Sequence, residues 1–197
     1  MSGEISYYEA LRDYLVEQLS SNFRSMAGDH LTVHGCIGEL RSELRRLIQR
    51  EDLHDTELEQ YSESVLPLNL DVFLVVTNPS GAFELVICEV KKKPALGLME
   101  LSQLIGYCII ANCTFGLLIN VDNDCSERFR DILRHEPGIT HIYRTEGPDV
   151  ADQVVRHNLG VMMWNSVTMR MTYTRSGAIR TIPHLCRQIL DSFGSES

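Results

Sequence analysis

Two apolar runs joined by a short turn constrain this chain more than any other feature. Residues 70–77 (LDVFLVVT) and 83–91 (FELVICEVK) are dense in β-branched and aromatic side chains, the composition of strands buried in a sheet. Between them stand Asn78, Pro79, Ser80 and Gly81, a strong turn signal. So short a connection brings the second run back antiparallel to the first, because a parallel return needs a dozen or more residues. The sequence therefore predicts a central hairpin whose two faces the rest of the chain must cover.

Few charges interrupt these runs, and their positions are informative. Successive strand residues point to opposite faces, so Glu89 and Lys91 share one face while Cys88 and Val90 turn into a core. Asp71 lies on the partner strand and is expected beside Glu89. Two adjacent carboxylates repel, and one is driven to protonate unless a cation joins them. Magnesium takes such oxygen ligands together with substrate phosphate. Lys91, Lys92 and Lys93 are the only lysines, and every other basic residue except histidine is arginine. Lysine is a compact point charge on a flexible stem. Placed beside two carboxylates, it suits the steering of a water molecule or a phosphate oxygen.

Around the hairpin, hydrophobic spacing predicts helices over 4–20, 36–50, 97–112, 124–134, 148–158 and 183–193. Residues 51–65 read as a loop or a short exposed helix. Further strands are expected over 115–121, 140–143 and 160–164. A C-terminal hairpin of 169–174 and 178–182 is expected to turn at Arg175, Ser176 and Gly177. The sum is an α/β chain with a mixed central sheet flanked by helices and a C-terminal β-hairpin appendage. It reads as a single domain over 1–197, with a core at about 36–145 and an extension at about 146–197.

Composition narrows the function classes. A chain of 197 residues can bury a sizeable core without disulfides or structural metal. Its six cysteines lack zinc or iron–sulfur spacing and read as reduced core thiols. No secretory leader or membrane span is evident, so a non-secreted protein of the cytoplasm, nucleoid or nucleus is expected, with no membrane partner. The net charge of −9 argues against broad coating of nucleic acid, but leaves room for an enzyme with a local basic patch.

Asp71 followed by Glu89-Val90-Lys91 resembles the PD-(D/E)XK nuclease superfamily, whose pattern is an acidic residue on one strand and (D/E)-x-K on the next. Gln103-Leu104-Ile105-Gly106-Tyr107 looks like the Q-L-x-x-Y helix motif of its RecB-like branch. The resemblance spans roughly residues 36–121. It implies a restriction-endonuclease-like fold and a magnesium- or manganese-dependent nuclease acting on nucleic acid, DNA ahead of RNA. It also implies that Asp71, Glu89 and the Val90 carbonyl bind metal, that Lys91 serves the nucleophile or transition state, and that Gln103 and Tyr107 orient the site. Upstream, His34 and Glu43 (with Glu39 as an alternative) stand where members supply a further metal ligand, and a histidine ligand favours manganese. The family's proline is not adjacent, since Pro67 precedes Asp71 by four residues.

Blander readings stand beside these. Asp71 suits a turn or cap, Glu89 and Lys91 suit a surface ion pair, and Gln103 and Tyr107 suit helix-surface packing. On that view the chain is a non-catalytic nuclease-fold binding module or scaffold subunit of a larger complex, or an unrelated α/β protein in which the motif is coincidence; a homodimer or larger complex is open on any of these readings.

Overall fold

The computed structural model describes residues 5–28, 30–145 and 154–194. Helix α1 (Ile5–Ala27) leads into β1 (Thr32–Glu39), followed by α2 (Leu40–Glu51) and α3 (Glu57–Ser64). The central hairpin is β2 (Asn69–Thr77) and β3 (Phe83–Lys91). After it come β4 (Ala95–Leu96), α4 (Leu98–Ile110), β5 (Phe115–Val121), β6 (Asp124–Cys125) and α5 (Glu127–His135). A 3-10 turn (Pro137–Thr140), β7 (His141–Thr145), β8 (Val154–Asn165), β9 (Arg170–Gly177) and α6 (Ile182–Gly194) complete the described chain.

Seven strands form a mixed sheet in the order β1-β2-β3-β5-β8, with β7 and β9 sharing the far edge of β8. β1, β2 and β3 run antiparallel, β3, β5 and β8 run parallel, and β7 and β9 are antiparallel to β8. The hairpin forms where the sequence predicts it, paired from Thr77↔Phe83 to Val72↔Cys88. Its turn is held by Asn78, whose Oδ1 accepts the Ser80 and Ala82 N–H groups at 3.0 Å each. Gly81 takes φ +87°, a conformation glycine adopts without steric penalty.

Two apolar layers sandwich the sheet. On one face Leu11, Leu15, Leu19 and Phe23 of α1, at helical spacing, pack with Leu185 and Ile189 of α6 on Val72, Leu74, Cys88 and Ile119. On the other, Leu40, Leu44 and Leu47 of α2 and Leu101, Leu104 and Cys108 of α4 pack on Phe73, Val75, Leu85 and Ile87. Burying each such leucine stabilises the fold by roughly 2 kcal/mol. All six cysteines are buried and free of disulfides. Burial pushes the Cys36 thiol up to about 11 and that of Cys186 up to about 12, as befits thiols packed in apolar surroundings. Among the described residues no helix is long and apolar enough to cross a membrane.

Three expected elements differ. Residues 36–39, read as the start of a helix, complete β1 instead. Gly38 has φ +111°, and the Glu39 carboxylate caps α2 by accepting the Arg41 and Ser42 N–H groups at 2.9 and 3.0 Å. Ile37 therefore packs toward α1 rather than with the leucine stripe of α2. In the expected helix over 148–158, residues 154–158 belong to β8, recruited between β5 and β7, while 146–153 lie outside the described residues. Finally, the C-terminal chain reversal lies between Asn165 and Arg170 rather than at Arg175-Ser176-Gly177. Asn165 Oδ1 accepts the Val167 and Thr168 N–H groups there at 3.1 and 2.7 Å. Both arms of that hairpin are strands of the central sheet and not an appendage, and residues 178–182 contribute only one isolated bridge, Gly160↔Ile179.

Candidate active site

The hairpin is zipped at its turn and forked at its other end. Past Val72↔Cys88, β2 pairs only with β1, through Leu70↔Gly38 and Asn69↔Glu39. β3 continues alone against β5, through Glu89↔Leu118, Val90↔Ile119 and Lys91↔Asn120. A bulge accompanies the parting. Between the pairs Cys36↔Phe73 and Gly38↔Leu70, β2 sets Asp71 and Val72 against the single residue Ile37. A bulge breaks alternation and re-aims a side chain. Asp71 is accordingly turned toward α1, where its Oδ1 accepts the Tyr8 hydroxyl at 2.8 Å.

The other Asp71 oxygen closes the fork. Its Oδ2 accepts the Val90 N–H at 2.8 Å, replacing the ladder bond that β2 no longer supplies. In an extended strand the N–H and C=O of one residue point to the same side, so the Val90 carbonyl also faces the fork. Glu89, only 2% exposed, and Lys91 flank Val90 and by alternation project toward the α4 side with Leu85 and Ile87. The Lys91 ammonium forms an ion pair with the Glu89 carboxylate. Asp71 was expected side by side with Glu89; instead it turns toward α1 while Glu89 turns toward α4, because the bulge breaks the alternation of β2, and Asp71 grips the main chain between the two motif side chains.

The three lysines separate, each to its own carboxylate. Lys92 lies over the Tyr7 ring, 4.1 Å from its centroid, and 3.6 Å from Asp122. Lys93 meets Glu100 at 2.6 Å. Glu100 sits in the first turn of α4 and also accepts the Gly97 N–H at 3.0 Å. Burial pushes its carboxyl upward, but the Lys93 ammonium and these N–H bonds outweigh it and hold it below the ordinary range. Asn120, fully buried, ties the lysine segment to β5 by accepting the Lys93 N–H at 3.1 Å and donating to the Lys93 carbonyl at 3.0 Å.

The remaining candidates are placed unequally. Gln103 and Tyr107 share a face of α4, where the Gln103 amide donates to the Tyr107 hydroxyl at 3.1 Å. Glu43 is held by Arg46 at 2.5 Å and lines a cleft of about 590 Å³ with Tyr8, Arg12, Cys36 and Arg50. Through Tyr8 that cleft adjoins Asp71. Glu39 is spent as the α2 cap. His34 is not brought to the fork. It pairs with Val75, four residues along β2 from Asp71, or roughly 13 Å at strand rise. Its Nδ1 lies 4.0 Å from Glu51, and burial lowers its pKa. The ground for preferring manganese goes with it.

Sequence reasoning missed Tyr8, which lies within the helix expected over 4–20 at the spacing of its apolar stripe of Leu11, Leu15 and Leu19. A hydroxyl in that stripe, where aliphatic residues follow at every turn, is the only available signal, and nothing in its spacing points to Asp71.

Among the described residues, no three His, Cys, Asp or Glu side chains gather as a metal-holding group. The fork offers two carboxylates, Asp71 and Glu89, and one main-chain carbonyl, that of Val90. These are the hard oxygen donors that suit magnesium. Each Asp71 oxygen keeps a lone pair beyond the bond it accepts, so the donor chemistry fits such an ion. No protein-family model matches the chain, and a search of curated proteins finds no similar one.

Proposed function

We propose that this chain is a metal-dependent nuclease of the PD-(D/E)XK type, hydrolysing phosphodiester bonds of nucleic acid, with DNA the first substrate to try. The carrying observation is the Asp71 carboxylate bound to the Val90 amide, inside Glu89-Val90-Lys91, where the hairpin parts. Partial agreement at a coarser level supports it: a mixed sheet flanked by helices is what a restriction-endonuclease-like fold requires.

In this reading water adds to phosphorus, the ester P–O bond breaks, and the proton lost by the water ends on the leaving alkoxide. Magnesium or manganese, held by Asp71, Glu89 and the Val90 carbonyl, would supply Lewis-acid polarisation and a more acidic water. Lys91 donates hydrogen bonds to a phosphate oxygen or to the attacking water and offsets charge built up in the transition state. Tyr8 fixes the rotamer of Asp71. Gln103 and Tyr107 present an amide and a hydroxyl on α4 for the nucleic-acid strand.

The test is incubation with labelled single- and double-stranded DNA and RNA, in magnesium, manganese or EDTA, beside Lys91→Ala and Glu89→Ala. Metal-dependent cleavage lost in both folded variants supports the reading, and activity retained in both ends it. A second reading is a non-catalytic binding or scaffold subunit. It is favoured by the closed Glu89–Lys91 ion pair and by the two hydrogen bonds on Asp71. Calorimetry with magnesium and manganese separates the two, since an inert scaffold takes up no ion in a manner abolished by Asp71→Ala.

A further inference from the structure

A second concentration of chemistry lies away from the fork. Where β9 ends and α6 begins, a cleft of about 540 Å³ is lined by Arg175, Arg180, Thr181, Pro183, His184 and Arg187. Three arginines line it, on a chain of net charge −9. Five arginines elsewhere pair with a neighbouring carboxylate: Arg12 with Asp13, Arg46 with Glu43, Arg50 with Glu51, Arg130 with Asp124 and Arg134 with Asp131. Among the described residues, no carboxylate forms an ion pair with Arg175, Arg180 or Arg187. Three exposed cations facing one concavity repel each other, and an anion relieves that repulsion.

Local structure concentrates the positive field further. Arg175 has φ +56°, in the left-handed region that disfavours residues other than glycine, asparagine and aspartate. The chain thus carries a side chain with five N–H donors at a position sterically easier for glycine. The first turn of α6 points its N–H groups at the cleft end of the helix, and Thr181 engages one, that of His184, at 3.2 Å. Burial, with Arg180 and Arg187 nearby, holds His184 below its ordinary pKa.

We propose that this cleft seats backbone phosphates of a nucleic-acid strand through Arg175, Arg180 and Arg187. The choice of partner rests on the nuclease reading, while the anion chemistry does not. β9 lies three strand spacings from β3, roughly 14 Å across the sheet. Arginine is the residue suited to bidentate phosphate contact.

The test is fluorescence anisotropy of the full chain with short labelled DNA and RNA oligonucleotides, in EDTA so that cleavage plays no part, over a range of salt. Arg180→Gln and Arg187→Gln should each weaken binding roughly tenfold. On a single strand, each phosphate left without its arginine should flatten the slope of log affinity against log salt by about 0.7. Arg175→Gly removes a cation while giving the backbone the residue it favours, so its melting temperature should not fall while its affinity does. Arg134→Gln, which removes an already paired arginine, should bind like wild type.

Wild-type affinity in the three cleft variants, or no binding by wild type, overturns the proposal. So does displacement of the strand by equal phosphate concentrations of a mononucleotide, which would reassign the cleft to a small phosphorylated ligand. Loss of binding in the variants of a protein that never cleaves would support the cleft and remove the nuclease reading.

Discussion

The two ends of one hairpin solve opposite problems. At the turn end, β2 and β3 are fully zipped, their side chains are mostly apolar and buried apart from Thr77 and the part-exposed Glu84, and Asn78 gathers the turn amides. At the fork end the ladder stops, and Asp71, Glu89 and Lys91 occupy the gap. The turn end gains by removing apolar surface from water. The fork end spends burial on charges, whose mutual attraction does little more than offset their desolvation. A chain under selection for stability alone would have zipped both ends with valine and isoleucine. An open, charged end on an otherwise apolar hairpin is where chemistry is to be sought.

Four expected outcomes sharpen or break that contrast. The largest is Phe73→Ala, which empties a fully buried site in the zipped region and should cost about 3–5 kcal/mol in urea unfolding. Glu89→Ala comes next. It leaves Lys91 facing a buried gap without its carboxylate, and should cost about 3 kcal/mol, whereas Glu89→Met, which fills the space, paired with Lys91→Met should recover most of that loss. Failure of the double substitution to recover stability would mean the fork is stabilising in its own right, and the contrast would dissolve.

Tyr8→Phe deletes one donor to a carboxylate and should cost about 1.5 kcal/mol by thermal melting. If Asp71 is oriented for function, that substitution should also depress any cleavage rate or metal affinity, and Asp71→Asn should do so with a smaller loss of stability than Glu89→Ala.

The smallest effect is a pH dependence at Glu100. Its folded pKa is depressed, so its contribution to stability is complete above the unfolded carboxyl value of about 4.3 and is lost as pH falls through the lower folded value. Glu100→Gln should flatten the acid limb of the stability profile in that window and leave it unchanged near neutrality. An unaltered acid limb would place the Lys93–Glu100 contact among surface pairs of no energetic consequence.

Much of the framework was legible. The α1 stripe, the hairpin with its Asn-Pro-Ser-Gly turn, α4 and β5 all follow from periodicity, since burying a face fixes which residues must recur and at what interval. The residues of the fork were legible as chemistry, because charges in strongly apolar strands are conspicuous. Their arrangement was not. The bulge that turns Asp71 toward Tyr8 arises from unequal counts on β1 and β2, and β1 itself was not expected, its last four residues being read as a helix start and the rest left without an element. His34 looked like a ligand because it stands just upstream of Gly38-Glu39-Leu40, where the resemblance supplies a histidine, but strand register carries it away from Asp71. The C-terminal segment misled for a related reason: Arg175-Ser176-Gly177 has turn composition, while the turn actually used, after Asn165, is stabilised by side-chain acceptance that any asparagine could offer.

The sequence by itself determined the α/β class, the central hairpin, and the identity of the charged residues set into it. These depend on local preference and on a period that a reader can count. Tertiary structure alone decided that the hairpin forks at Val72↔Cys88, that Asp71 holds the Val90 amide, that Tyr8 holds Asp71, and that three arginines share one cleft. Each of the first three joins residues far apart in the chain, and no local propensity encodes such a meeting. It is set by which register buries the most apolar surface while leaving the fewest backbone groups without a partner.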